Sequence, residues 1–184
     1  MKMEVDLGRG LVLKNPVMTA SGTFGYAEEY AEFVDVNRIG AVVVKGVSLK
    51  PREGNPPPRI IETTGGMLNA IGLENVGIDR FIKDKLPFLR KFDTKVIVNI
   101  YGESIEEFRL LAQRLNTVDG IHALEVNISC PNVEKGGIAF GAERETASRI
   151  TQAVRAATDL PVIIKLTPNV TDITEIASAA EDAG

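Results

Sequence analysis

The chain has 184 residues, of which 44% are hydrophobic and 25% charged, a composition typical of a folded globular domain. Its formal net charge of −4 argues against nucleic-acid binding, which usually requires a basic surface. No apolar run approaches the roughly 20 residues that span a bilayer, and the N-terminus lacks the apolar core of a signal peptide. One cysteine and one histidine exclude an internal disulfide and disfavour a zinc site. We therefore expect a cytoplasmic protein without a metal site.

The N-terminal segment comes first along the chain. Residues 3–7 and 10–13 are predicted to form a small hairpin that turns at Gly8-Arg9. After it, five short apolar runs, rich in β-branched residues, predict strands. Each run is almost continuously apolar, which is typical of parallel strands covered on both faces. The runs are 16–20, 41–44, 96–100, 124–128 and 162–166.

Helices are predicted between and after these strands. Capping motifs at Ser104–Glu107 and Asp172–Glu175 begin two of them, and helical spacing also covers 78–92 and 143–158. Alternating strands and helices predict an α/β fold with right-handed crossovers. The connection from 47 to 77 is unusually long and rich in proline and glycine. Loops of this length in compact domains are usually functional, so we expect it to contribute to a site.

Each predicted strand ends in a polar residue at its carboxyl end: Ser21, Lys45, Asn99, Asn127 and Lys165. Side chains alternate along a strand, so each strand-end lysine shares a face with the apolar residue two positions earlier. In a barrel this face can be the interior, and barrel enzymes place their active sites at the carboxyl end. Polar residues can simply mark where strands meet solvent, but lysine is rarely buried without a partner. Two lysines at one mouth therefore indicate an anionic ligand, or a cofactor that becomes anionic.

Cys130 follows the fourth predicted strand, within the segment Asn127-Ile-Ser-Cys-Pro-Asn132. A nucleophilic cysteine normally has a histidine partner, but His122 precedes this strand and is expected at the opposite end of the sheet in a structural role. Cys130 is therefore predicted to transfer protons, although a lone cysteine is more often an inert buried residue. The neighbouring Asn127, Ser129 and Asn132 favour a site, because they suit a planar polar substrate.

Six motifs follow one another along the chain: Asn15–Gly25, Val44–Val47, Asn69–Leu73, Asn99, Asn127–Asn132 and Ile164–Asn169. In these motifs and their order the chain resembles the catalytic subunit of class 1 dihydroorotate dehydrogenases, which are FMN enzymes of pyrimidine biosynthesis. The resemblance implies a (β/α)8 TIM barrel. The cysteine in Asn127–Asn132 marks class 1, because the membrane-bound class uses serine there and adds an N-terminal membrane helix.

The stretch Val133–Gly141 is similar to the NAD-linked subclass, 1B. In that subclass a second subunit carries FAD and a 2Fe–2S cluster, and the resemblance implies a homodimer joined by this electron-transfer subunit. The sequence leaves the electron acceptor open between NAD and fumarate.

The resemblance also implies roles for individual residues. Cys130 would remove the C5 proton of dihydroorotate while hydride leaves C6 for the flavin, which yields orotate, and Lys165 would stabilise negative charge on the reduced flavin. The implied FMN contacts are Ser21, Lys45, Gly46, Asn99, Asn127 and Lys165. The implied substrate contacts are Lys45, Asn69, Ala70, Ile71, Gly72, Leu73, Asn127 and Asn132.

A complete barrel takes eight strands and about 250 residues, whereas this sequence supplies about the first five βα units. We therefore expect residues 1–184 to form the N-terminal part of a single FMN-binding TIM-barrel domain, truncated at its C-terminus. The loops that would hold the FMN phosphate are then expected to be missing, and FMN binding by this chain alone to be weak. The alternatives are another FMN barrel reductase, such as one similar to dihydropyrimidine dehydrogenase or a tRNA-acting dihydrouridine synthase, and an inactive barrel fragment that serves only in assembly. The acidic net charge disfavours the synthase.

Overall fold

The structure, a computed structural model, describes residues 3–129 and 141–184 of the chain. The strands described in these ranges are β1 (Val5–Asp6), β2 (Val12–Leu13), β3 (Ala41–Val43), β4 (Ile60–Thr63), β5 (Gly66–Asn69), β6 (Lys95–Ile100), β7 (Ala123–Asn127) and β8 (Val162–Lys165). The α-helices are α1 (Gly77–Arg80), α2 (Leu86–Leu89), α3 (Ile105–Asn116), α4 (Arg144–Arg155) and α5 (Ile173–Asp182). A 3-10 helix covers Val36–Arg38, and a π-helical turn, Phe81–Lys85, joins α1 to α2.

The centre of the fold is a parallel sheet in which β3, β6, β7 and β8 lie side by side in chain order. The strands that lie next to each other in this sheet also follow one another along the chain. Each connection therefore crosses over one face of the sheet, as in the wall of a (β/α) barrel. The prediction of a first strand over 16–20 is wrong in extent, because this segment makes only an isolated parallel bridge between Met18 and Ala41. Val17 is 59% exposed there, since the segment lies at the edge of the described sheet.

Helix boundaries follow from local capping. The Ser104 hydroxyl accepts from the Glu107 N–H at 3.2 Å, and α3 begins at the next residue. The Asp172 carboxylate accepts from the Thr174 N–H at 2.8 Å and begins α5 in the same way. Each bond satisfies an N–H that has no partner within its helix, which is worth about 1 kcal/mol. Both predicted capping motifs are confirmed. The helix predicted over 78–92 is present but includes the π-helical turn, just before Pro87, which has no N–H to continue the α-helical pattern.

The two faces of the sheet bury different sets of residues. Outer-face side chains such as Val98, Leu124 and Val126 join a large core with the helices. Inner-face side chains form a separate small cluster with the β1–β2 hairpin, which confirms the hairpin prediction. This inner cluster comprises Leu11, Leu13, Ala41, Val43, Ile97 and Ala123, with the half-buried Ile163 packed against it. The alternation expected of barrel strands is therefore present, and the hairpin covers one end of the inner face.

The long connection contains an antiparallel hairpin, β4–β5, in a region for which the sequence pattern predicts only a loop. Every residue of its two strands is exposed, including Ile61 at 64% and Leu68 at 65%. The β-branched run Ile60–Thr63 before Gly65-Gly66 is the available hairpin signal. None of the described helices has the length and apolar character needed to cross a membrane.

Candidate functional site

A cavity of about 390 Å³ lies at the carboxyl end of the sheet, between the strand ends and the long connection. This volume falls within the range of small-molecule sites. The lining combines two cationic, several amide or hydroxyl, and two aliphatic side chains. The lining residues are Ser21, Gly22, Thr23, Lys45, Gly46, Asn69, Ile71, Leu73, Glu74, Asn127, Ser129 and Lys165.

Most of the predicted ligand contacts meet at this cavity. The predicted residues among the lining are Ser21, Lys45, Gly46, Asn69, Ile71, Leu73, Asn127 and Lys165. They come from segments far apart in sequence, which the parallel strands bring to one edge of the sheet. The sheet therefore assembles the cluster that the strand-end pattern predicted.

Other predicted residues lie near the cavity without lining it. Asn99 is fully buried, and its Oδ1 atom lies 3.0 Å from where a Cβ atom on Gly46 would stand. Gly72 is buried against Asn55, with a φ of +75°, a conformation that favours glycine. Ala70 is exposed, and its N–H donates to the Arg59 carbonyl at 2.8 Å. Gly72 and Ala70 therefore shape the long connection and do not line the cavity. Cys130 and Asn132 fall outside the described residues.

The two lysines of the cavity carry its electrostatic character. Lys45 and Lys165 are both half-buried, and neither ammonium group pairs with an acid or donates a hydrogen bond within residues 3–129 and 141–184. Glu74 also lines the cavity, but its carboxylate is ion-paired with Arg59. Partly buried ammonium groups need a counter-charge, because desolvation penalises an isolated ion. The site therefore suits an anionic ligand, or one on which negative charge develops.

A row of hydrogen bonds runs across the strand ends. The Asn99 amide donates to the Glu125 carboxylate at 2.5 Å, and the Asn127 amide donates to the Asn99 Oδ1 atom at 3.4 Å. The Asn127 Oδ1 atom in turn accepts from the Ser129 N–H at 3.2 Å and from its hydroxyl at 3.1 Å. We call Glu125, Asn99, Asn127 and Ser129 the amide row. Its members join the ends of β6 and β7 to the segment that precedes Cys130.

The structure also brings to the cavity three residues that the sequence pattern does not predict. Gly22, Thr23 and Glu74 line it, beside Ser129, which the sequence already favours as part of a site. Gly22 and Thr23 directly follow Ser21, so adjacency is the available signal. The sequence gives no such signal for Glu74, because this residue reaches the cavity only through the path of the long connection.

That path includes an unusual backbone at Leu73, which has a φ of +58°. Non-glycine residues seldom occupy this left-handed region. The Leu73 Cδ2 atom lies 3.6 Å from the point that a Cβ atom on Gly46 would occupy, so this conformation places its side chain against the cavity floor.

The opposite, amino end of the sheet holds a second cavity, of about 490 Å³. His122 lines it, as expected from its place before β7. Its Nδ1 atom accepts from the Val96 N–H at 3.0 Å, and burial, followed by nearby Lys95, lowers the pKa of the imidazole. Lys14 in this cavity donates to the Asn37 carbonyl and is ion-paired with Asp93 at 2.9 Å. The histidine is thus a structural acceptor, as predicted.

Parallel strands with a small-molecule cavity at their carboxyl ends define part of a TIM-barrel protein, as predicted. A family model described as dihydroorotate dehydrogenase matches residues 5–184. The chain belongs to the dihydroorotate dehydrogenase family.

Curated relatives support the same assignment. The chain is 58% identical, over all of its 184 residues, to the catalytic subunit of dihydroorotate dehydrogenase B (NAD(+)) from Thermoanaerobacter sp. (strain X514), and it covers 60% of that protein. It is 60% identical over 174 residues to the subunit of the same name from Geobacter sulfurreducens, with 95% of this chain and 57% of the relative covered. The chain thus spans about 60% of the length of such relatives.

A solved structure supports the fold alone. The crystal structure of the Eimeria tenella dihydroorotate dehydrogenase in complex with ferulenol is similar, with a TM-score of 0.78 at 23% sequence identity. The similarity covers 100% of this chain and 57% of that one.

Proposed function

We propose that this chain provides flavin- and substrate-binding residues of a dihydroorotate dehydrogenase, which oxidises dihydroorotate to orotate in pyrimidine biosynthesis. The observation that carries the proposal is the pair of lysines, Lys45 and Lys165, which meet at a polar cavity without an anionic partner among the described residues. The family match and the names of the relatives support it. We also propose that residues 1–184 belong to a single FMN-binding barrel domain.

The residues of the cavity fit FMN. A flavin ring is planar, bears carbonyl and N–H groups, and becomes negatively charged on reduction, so it needs amide partners and a cation. Asn127 supplies an amide at the cavity and Lys165 a cation, while any side chain on Gly46 would crowd Asn99. Bound here, FMN would supply the hydride acceptor. The residues that would hold it are Ser21, Lys45, Gly46, Asn99, Asn127 and Lys165.

The substrate would bind on the side of the cavity formed by the long connection. Lys45 would pair with the carboxylate of dihydroorotate, because its ammonium group has no other described counter-charge. Ile71 and Leu73 would cover the apolar carbons of the ring. Asn69 and Asn127 would complete this side with hydrogen bonds, Ala70 and Gly72 would set the path of the connection, and Asn132 would add a further amide.

Cys130 and Lys165 would perform the chemistry with complementary charges. As a thiolate, Cys130 would accept the proton from C5 of dihydroorotate, before or in concert with the loss of hydride from C6. Lys165 would stabilise the negative charge that accumulates in the cavity during this transfer, because its ammonium group is already in place and partly desolvated.

We further propose that electrons pass to NAD through a partner subunit that carries FAD and a 2Fe–2S cluster, around a homodimer of catalytic chains in the cytoplasm. The names of the relatives support a separate partner, because they describe a catalytic subunit of an NAD(+) enzyme.

The test uses the full-length enzyme, co-expressed with its partner subunit, and follows orotate formation from dihydroorotate. We expect turnover of dihydroorotate but not of 5,6-dihydrouracil, which would be the product of a uracil reductase. Cys130→Ala should retain flavin absorbance and lose about 10²- to 10⁴-fold in turnover, the usual contribution of a general base. Unchanged turnover would reject Cys130 as the base.

Lys45 is tested in the same preparation. Lys45→Met should raise KM for dihydroorotate by about 10-fold or more, because a charge-assisted hydrogen bond to the carboxylate is lost. Lys50→Met is the matched control, since Lys50 is exposed five residues further along the chain and does not line the cavity. Equal KM values for the two variants would exclude Lys45 as the carboxylate partner.

A further inference from the structure

We propose that Glu125 is a positioning residue, whose carboxylate fixes the orientation of the Asn99 and Asn127 side-chain amides and so presents an N–H donor to the ligand. This inference rests on the proposed function for the identity of the ligand, but the orientation itself is a property of the protein alone. Glu125 does not line the cavity, and it acts through Asn99.

The position of Glu125 on the inner face of the sheet calls for an explanation. In the register of the sheet it lies opposite Asn99 on β6 and Ile163 on β8. One step towards the amino end, the inner face is formed by Val43, Ile97 and Ala123, which are all apolar. A half-buried carboxylate beside such a cluster costs desolvation energy unless its hydrogen bonds compensate. The hydrogen bond that Glu125 accepts from the Asn99 amide, at 2.5 Å, is the contact that compensates this cost.

Donor and acceptor chemistry gives the amide row a direction. An ionised carboxylate can only accept, so Asn99 must turn its NH₂ group towards Glu125. Its carbonyl oxygen then faces Asn127, which must donate in turn. The Asn127 oxygen is left to accept from the Ser129 N–H and hydroxyl. One charged group thus orients two amides that could otherwise flip.

The direction of the row decides what Asn127 offers to a ligand. Its oxygen already accepts two hydrogen bonds from Ser129, and one of its two N–H bonds is directed to Asn99. The remaining N–H is the group available to the cavity, which Asn127 lines. The ligand atom beside Asn127 must therefore be an acceptor, such as a carbonyl oxygen or a bare ring nitrogen.

The first readout needs no ligand. In full-length protein carrying ¹⁵N-labelled asparagine, the Asn99 and Asn127 NH₂ signals are assigned by their loss in Asn99→Asp and Asn127→Asp. Glu125→Gln keeps the size of the side chain but can donate as well as accept, so it removes the fixed direction. We expect the signals of both amides to shift or split in this variant. If the Asn127 signal stays unchanged, Glu125 does not set its orientation and the inference is overturned.

The second readout is the dissociation constant of FMN, measured by flavin fluorescence. We expect Glu125→Gln to weaken binding by about 3- to 10-fold, the difference between a charged and a neutral hydrogen bond. Glu28→Gln is the matched control, because Glu28 is a partly buried carboxylate paired with Lys85, away from the cavity. An Asn127 shift in Glu125→Gln with unchanged FMN affinity would reduce Glu125 to a structural residue and overturn the positioning role.

A double variant separates the direction of the hydrogen bonds in the amide row from the position of the carboxylate that sets it. In Glu125→Gln combined with Asn99→Asp, the new carboxylate at position 99 accepts from both neighbours, so Asn127 must donate as before. We expect the Asn127 NH₂ group to return to one pair of ¹H–¹⁵N signals, and a pair that stays split would contradict the mechanism. If wild-type protein shows ordered amide signals but no flavin binding or dihydroorotate turnover, the proposed function fails while the orientation is still tested.

Discussion

The two ends of the central sheet both hold cavities lined by lysine, but the charges around those lysines differ. At the amino end, Lys14 is ion-paired with Asp93, and the lining balances three cationic side chains, Lys14, Arg90 and Lys95, against the carboxylates of Glu4, Asp93 and Asp119. At the carboxyl end, Lys45 and Lys165 have no ion-pair or hydrogen-bond partner among the described residues. Lysine content therefore does not identify a ligand site in this protein. What identifies it is cationic charge that the surrounding protein leaves uncompensated.

This difference implies that the two ends can be altered independently. Changes at the amino end should reduce the free energy of unfolding without affecting ligand affinity. Changes to the carboxyl-end lysines should reduce ligand affinity without affecting the free energy of unfolding. Three variants of the full-length protein, two at the amino end and one at the carboxyl end, test this separation.

The largest effect is expected for Leu13→Ala. Leu13 is only 1% exposed and packs in the inner cluster at the amino end, so truncation should cost about 2–5 kcal/mol of unfolding free energy. Urea denaturation measures this cost, and Leu7→Ala, at a position 48% exposed, is the control. FMN affinity measured well below the unfolding transition should stay at the wild-type value. A matching loss of affinity would show that the ends are coupled.

An intermediate effect is expected for Lys165→Met at the carboxyl end. Loss of a charge-assisted hydrogen bond of about 1.5–3 kcal/mol should weaken FMN binding by about 10- to 150-fold. The unfolding free energy of the ligand-free protein should not fall, because no described partner loses a contact. Lys83→Met, at an exposed position, serves as the control. A destabilised variant with normal FMN affinity would assign Lys165 to the fold.

The smallest effect concerns pH and His122 at the amino end. Its folded-state pKa lies below the ordinary value of 6.5, because burial and then Lys95 disfavour the charged form. The unfolded chain therefore binds the proton more readily, so this contribution to stability is present above about pH 6.5 and is lost as pH falls towards the folded-state pKa. His122→Asn retains an acceptor for the Val96 N–H but does not titrate. Urea unfolding between about pH 5 and 8 should show a shallower acid slope in the variant, and identical slopes would exclude His122 as the source.

The residues on the inner and outer faces of each strand can be predicted from sequence, because side chains alternate between the two faces within a single strand. Lys45, Asn127 and Lys165 are assigned to one mouth on that basis, and the structure brings all three to the cavity. The partnering of Glu125 with Asn99 cannot be predicted in the same way. It depends on the register between β6 and β7, which no single strand encodes.

Other errors have physical causes of the same kind. The strand predicted over 16–20 reduces to one bridge, because β pairing depends on neighbours as well as on composition. The β4–β5 hairpin escapes prediction because its apolar residues are exposed, so burial does not mark it. Cys130 and Asn132 lie outside the described residues, and their roles stay predictions from the family resemblance.

The strict alternation along β7 also has a consequence for how the gene can vary. Deletion of one codon before Asn127 in this strand would move Asn127 to the outer-face position of Val126 and bring Ile128 to the mouth, since a shift by one residue reverses the faces. A codon lost from the exposed β4–β5 hairpin would move no core side chain. Substitution scanning would underestimate this difference, whereas a library of single-codon deletions scored for folded protein should show intolerance in β7 and tolerance in the hairpin.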